Sequence, residues 1–382
     1  MSQADNRARY ANGLIGGAAG DAWGYQVEFT SYPKMPAYPV SPPAGDWIIS
    51  DDTQMLLATH NALHDVVDFD DIDEVAEVIL DRYLDWAVSP WNNRAPGTTC
   101  MSALWNIESG KHWNRGGARY SAGCGAVMRL APAAFAPAHY RRGLAVLQAV
   151  VTHRHPKAAL SALLLCDAFT HAGQEPLLEH ARADLAVLET RLPDEWADDD
   201  YLQRILAMLT DDPHAYLSSA LGPEPGRRSP SMEQAFTAAA ERLAIETHST
   251  GWTGDPCAGI GEGWDAATAT ALGMLAADLH RNGRLDPVDA IAWASTSNGD
   301  SDSIATLAGA LIGAASSDPG FWGDHQLGMC LESRYADEID RAISQGPPAV
   351  SCLESSGTTA AQPRRQLQQY GGDNLLFSDV DW

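Results

Sequence analysis

No stretch of this 382-residue chain stays apolar for the ~18 residues needed to cross a bilayer. Its opening, MSQADNRARYANG, lacks the charged start, apolar stretch and small-residue cleavage site of an export signal. A soluble, cytoplasmic protein is expected. The six cysteines (Cys100, Cys124, Cys166, Cys257, Cys330, Cys352) never fall at CxxC spacing, which suits reduced thiols better than a disulfide frame or a cysteine zinc site. Basic residues are scarce: 25 Lys and Arg face 50 Asp and Glu, a formal net charge of −25. Such a field repels nucleic acid and anionic membranes at long range. It leaves room for a nucleotide-like ligand held in a pocket by backbone donors. Convincing strand alternation and fixed-period repeats are both missing.

What remains is helical. Hydrophobic residues make up 45% of the chain, enough for a sizeable core. Apolar positions recur at three- and four-residue steps over residues 54–67, 72–88, 142–151, 157–172, 231–247 and 263–281. Residues 8–24 and 302–316 carry Gly and Ala at close spacings that let helix backbones approach tightly. The expected architecture is a single all-α domain over residues 1–344, followed by a flexible tail, 345–382, whose final LLFSDVDW is apolar enough to dock. Pro- and Gly-rich segments at 31–46, 90–99 and 221–230 read as loops, the first long enough to act as a flap.

Two acidic clusters stand directly before apolar helices: Ser50-Asp51-Asp52-Thr53 and Asn298-Gly299-Asp300-Ser301-Asp302-Ser303. Taken singly, each is explained by helix capping, since Ser, Asp and Thr satisfy the free N–H groups of a helix start. Taken together, two converging helix starts gather about four carboxylates, whose mutual repulsion calls for cations. With no His or Cys in either cluster, the matching ions are hard: Mg²⁺ or Mn²⁺, two of which can share one carboxylate.

The ordered motifs resemble the ADP-ribosylglycohydrolases. GLIGGAAGDAWGYQVEF is similar to that family's glycine-rich opening with its later Glu, and SDDTQM to its Thr-Asp-Asp-Thr-x-Met motif. GCGAVMRLAP (123–132), VTHRHP (151–156), GEGWDA (261–266) and GDSDSIATLAGALIGA resemble its later motifs in the correct order, over roughly residues 8–325. The resemblance implies an all-α fold around a central binuclear site binding two Mg²⁺ (or Mn²⁺). Ser50, Asp51, Asp52, Asp300, Asp302 and Ser303 match the metal ligands, with Asp302 as the bridge. Glu28 and Asp302 match the groups doing acid/base work. Gly123, Cys124 and Gly125 match a loop lining the phosphate and distal ribose, and His153 a residue that helps hold ADP-ribose. Trp264 and Trp252 are candidates for stacking on adenine, or for ordinary core positions. Arg129 reads as a partner for a neighbouring acid.

Three residues depart from the pattern. Ser replaces Thr at positions 50 and 303, keeping the oxygen but losing the methyl that fixes its rotamer. Cys124 stands where the family commonly has Asn.

The implied activity is metal-dependent cleavage of the glycosidic bond between ADP-ribose and a modified macromolecule, with ADP-ribose as product. ADP-ribosyl-arginine on protein is the expected substrate, because an acidic surface suits a guanidinium. Nucleic acid enters only as a modified substrate. Two other readings stand beside it: a catalytically decayed structural or toxin-blocking immunity protein, and an unrelated two-metal phosphohydrolase.

Overall fold

The computed structural model describes residues 2–223, 229–249 and 254–349. Ser2 starts the first helix, Gln3–Tyr25: its hydroxyl accepts the Asp5 N–H while the Asp5 carboxylate accepts the Ser2 N–H. This reciprocal cap fixes where the helix begins. Its small residues then decide its partner. A Cβ added to Gly16 would lie 2.1 Å from the Gly309 carbonyl oxygen, and one on Gly20 would lie 2.0 Å from that of Ala305. The helix therefore runs with its backbone against helix Ser301–Ala314, the most extensive helix pair in the molecule.

Contacts descend along the second helix as they ascend the first: Gly16 meets Gly309, Gly20 meets Ala305 and Gly24 meets Ser301. The pair is antiparallel. The carbonyl end of one helix thus meets the N–H end of the other, a favourable alignment of dipoles. The same register delivers Gly24 and the residues after it to the Asp300–Asp302 segment.

Against this pair pack helix Ala266–Arg281, buried along most of its length, and helix Pro287–Ser295, with Met232–Thr247 on the far side of Ala266–Arg281. Helix Asp51–Asp65 packs on Ile72–Ala87, and Arg141–Val150 packs on Pro156–His171, which also meets Ala266–Arg281. The all-α expectation holds: the described residues form eighteen α-helices, with isolated bridges in place of sheet. No described helix is long and apolar enough to cross a membrane.

Besides several short helices, five longer ones escape the apolar periodicity: Thr98–Glu108, Leu177–Leu188, Asp200–Leu209, Pro287–Ser295 and Ser333–Gln345. The last buries only Tyr335, Ile339 and Ala342, at four- and three-residue steps among charged neighbours. Its end sits on the body, with Gln345 Oε1 2.8 Å from His60 Nε2. Residues 350–382 of the expected tail, like Trp252, lie outside the described residues. The Pro-rich 31–46 segment is pinned at its middle. Trp23 Nε1 donates to the Val40 carbonyl at 2.8 Å, and the Val40 N–H donates to Thr296 Oγ1 at 2.9 Å.

Candidate metal centre

Two helix starts and one helix end build the site. Ser50 is extended before helix Asp51–Asp65, and its Oγ accepts the Asp52 N–H at 3.2 Å. Asp51 Oδ2 accepts the Gly97 N–H at 3.1 Å, which ties the cluster to the start of helix Thr98–Glu108. Asp300 caps helix Ser301–Ala314, with Oδ1 3.3 Å from the Ser303 nitrogen. Gly299 takes φ +92°, and the Glu262 carbonyl, 2.3 Å from where its Cβ would stand, accepts the Asp300 N–H at 2.9 Å. A side chain at 299 would displace the cluster. Both clusters are helix caps, as their residue types demand. Capping uses only part of their oxygens.

The first helix and the turn after it contribute two acids. Asp21, fully buried, accepts the Ser50 and Thr53 N–H groups, each at 2.9 Å, and so holds the Ser50–Thr53 segment from behind. The sequence reading gave Asp21 no role; its signal was a lone acid in a stretch of Gly and Ala. Glu28, one turn past the helix, is 7% exposed and no surface carboxylate. Oxygens of Glu28, Asp300 and Asp302 lie within 4.8 Å of one another.

Six carboxyl groups thus converge, and none is ion-paired to Lys or Arg among the described residues. Burial, reinforced by the neighbouring carboxylates and above all Asp302, pushes Asp21 up to about 7 and Glu28 up to about 10. The same causes hold Asp51, Asp52 and Asp300 well above the ordinary carboxylate range. Burial raises Asp302 as well, against the lowering effect of bonds to Asp300 and Ser50. Glu28 Oε2, Asp52 Oδ2, Asp300 Oδ2 and Asp302 Oδ1 are buried without a hydrogen-bond partner. Unpaired buried carboxylate oxygens are costly, and they are stable only when protons or cations occupy the space between them. The donors are all oxygen, so Ser50, Asp51, Asp52, Asp300, Asp302 and Ser303 fit hard divalent ions.

Beside the cluster lies the Gly123–Gly125 loop. Cys124 is half-buried, with its thiol on the Asp300 and Ser303 side chains. This departure therefore touches the acidic cluster itself. The Cys124 N–H is not free for a phosphate, because it donates to the Trp264 carbonyl at 3.1 Å. The Gly123 N–H reaches Ser121 Oγ only at 3.4 Å.

His153 lies under this loop at 2% exposure, and Cβ atoms on Gly123 and Gly125 would come within 3.0 and 2.9 Å of its ring. Burial, then the Arg129 charge, lowers His153 to about 3, so its imidazole is neutral. Arg129 pairs with no acid, contrary to the sequence reading. It donates to Gln148 and Thr152 and lies 4.5 Å from the Tyr83 ring centroid, bracing the loop from below.

Trp264, 37% exposed, stacks on Phe29 with ring centroids 6.2 Å apart and planes inclined by 20°. Phe29 is 74% exposed and directly follows Glu28. This aromatic pair escaped sequence reading, since 235 positions separate its members.

The family model described as ADP-ribosylglycohydrolase matches residues 2–342. A solved structure described as an ADP-ribosylglycohydrolase-related protein complex superposes with TM-score 0.51 at 20% identity, covering 89% of this chain and 98% of that one. An uncharacterized protein of Archaeoglobus fulgidus is 29% identical over 194 residues, 46% of this chain and 60% of that protein. With the family match running from the first helix to the last, this chain belongs to the ADP-ribosylglycohydrolase family.

Proposed function

We propose that this chain is a metal-dependent hydrolase that removes ADP-ribose from a modified macromolecule. The observation that carries this reading is the set of four buried, unpartnered carboxylate oxygens on Glu28, Asp52, Asp300 and Asp302. Ser50, Asp51, Asp52, Asp300, Asp302 and Ser303 would hold two Mg²⁺ or Mn²⁺ ions. Bound there, the ions supply Lewis acidity toward sugar hydroxyls and water.

The chain's own groups do the rest. Glu28, whose burial favours its protonated form, carries a proton at a leaving nitrogen or oxygen. The surrounding carboxylates stabilise the positive charge that develops at an anomeric carbon as its bond breaks. The Gly123–Gly125 loop, kept narrow by His153 beneath it, admits a diphosphate close to the backbone. Trp264 and Phe29 offer aromatic faces at the rim. The macromolecule we favour is ADP-ribosyl-arginine on protein, since a chain with net charge −25 attracts a guanidinium-bearing segment.

Asp302→Asn tests the reading. It removes one negative charge from the centre of the cluster and should abolish both Mg²⁺ binding and ADP-ribose release while the circular dichroism spectrum stays helical. A folded Asp302→Asn protein that still turns over would overturn it.

A further inference from the structure

A second cluster lies at the turn joining helix Pro156–His171 to helix Leu177–Leu188. We propose that His171, Glu175 and His180 bind a borderline transition-metal ion of the Zn²⁺ class, at a site distinct from the acidic centre. One ligand atom from each of the three lies within 4.8 Å of the others. The two imidazole rings stand 4.2 Å apart at 45°. His171 Nδ1 is buried and has no hydrogen-bond partner. His180 Nδ1 is 3.2 Å from Glu175 Oε2, while its Nε2 faces Asp184 Oδ2 at 3.6 Å. A metal-binding histidine commonly turns its other nitrogen toward a carboxylate in this way, which fixes ring orientation and strengthens the donor.

The three groups are carried on anchored backbone. His171 ends a helix buried through most of its length. Gly173 turns at φ +79°, where a Cβ would lie 2.8 Å from the Ala315 carbonyl oxygen. The N–H groups of Leu177 and Leu178 both donate to the fully buried Asp278 carboxylate, at 3.0 Å each. His180 therefore sits on a helix whose start is held by a different part of the molecule. Glu175 is exposed and His180 partly so, which leaves water access for the remaining coordination position.

Donor chemistry separates this site from the acidic one. Two imidazoles and a carboxylate suit Zn²⁺, Co²⁺ or Ni²⁺, whereas an all-oxygen cage suits Mg²⁺. Distance separates them too. His153, under the loop beside the acidic centre, stands three residues before the start of helix Pro156–His171, and His171 ends that helix; sixteen residues at 1.5 Å rise span about 24 Å. An ion here would clip the turn between the two helices, closing a short loop without touching the residues assigned to hydrolysis.

The test is a Zn²⁺ titration of the full chain against a chromogenic chelator, in excess Mg²⁺ to occupy the acidic centre. One Zn²⁺ per chain is expected. His171→Gln and His180→Gln should each weaken it by at least about tenfold, the lower bound seen even for losses outside the inner coordination sphere. ADP-ribose release in Mg²⁺ should be unchanged in both variants. Co²⁺ added to the wild-type chain gives an answer that needs no variant: visible absorption bands of a low-coordinate imidazole site should appear and be displaced by Zn²⁺. Absence of those bands, or Zn²⁺ binding equal in the wild type and the His171→Gln/His180→Gln double variant, would overturn the proposal.

Discussion

Gly24 packs directly on the backbone of Asp302: a Cβ at position 24 would lie 2.6 Å from the Asp302 Cα and 2.4 Å from the Ser301 carbonyl oxygen. The spacing of the candidate metal centre is therefore set by backbone contact between two helices, and glycine at 24 is what permits it.

Gly24→Val should push the helices apart at their acidic end. Overpacking of this kind costs about 1–3 kcal/mol. We expect a lower unfolding temperature together with weakened Mg²⁺ binding. Gly17→Ala is the control, because a Cβ there meets nothing nearer than 3.5 Å and fits the same helix. Calorimetry and Mg²⁺ titration of the two variants check this, and equal behaviour would contradict the packing argument.

Asp21→Asn should damage the site from behind. The carboxylate accepts two backbone N–H groups, whereas an amide offers one acceptor and turns its NH₂ toward the other donor. Leaving one buried N–H unsatisfied costs about 1–3 kcal/mol. Loss of an outer partner typically weakens metal binding about 10–100-fold. Mg²⁺ titration of Asp21→Asn should therefore show weaker binding, with the protein still folded.

Metal-free stability should fall as pH rises. Burial and mutual repulsion raise the cluster's carboxyls in the folded state, so the folded chain holds more protons than the unfolded one. Stability from these groups is complete below the unfolded carboxylate range near 4 and is lost as pH climbs through about 7 for Asp21 and toward about 10 for Glu28. Thermal unfolding in EDTA should thus occur at lower temperature at pH 8 than at pH 5. Mg²⁺ should offset the loss, releasing protons as it binds. A metal-free protein equally stable at both pH values would contradict this.

Trp264→Ala and Phe29→Ala should act on substrate capture. Neither ring carries a titratable group, and both lie at the rim beside Glu28 and the Cys124 loop. KM should rise while kcat changes less, the signature of lost uniform binding. Steady-state kinetics on an ADP-ribosylated substrate decides it, and unchanged KM in both variants would remove the pair from the site.

Much of the arrangement was legible because it is local. Ser50–Thr53 and Asp300–Ser303 advertise themselves as helix starts within four residues, and the Gly/Ala spacing of the first helix announces a close helix partner. What was hidden depends on residues far apart. Asp21 matters through amides 29 and 32 positions away. Phe29 matters through Trp264, and His171 through a ring across a turn. Arg129 looked like half of an ion pair, yet its partners are Gln148, Thr152 and the face of Tyr83, none of which its neighbours in sequence suggest. Helix Ser333–Gln345 was missed because three buried residues suffice to dock it.

The central claim is that converging buried carboxyls make a metal-dependent ADP-ribosyl hydrolase. Its most direct test is release of free ADP-ribose from arginine-, serine- and DNA-linked ADP-ribose, with Mg²⁺ and again with EDTA. The account predicts release from the arginine linkage in Mg²⁺ and none in EDTA. A folded, metal-loaded protein that frees ADP-ribose from none of the three would contradict it.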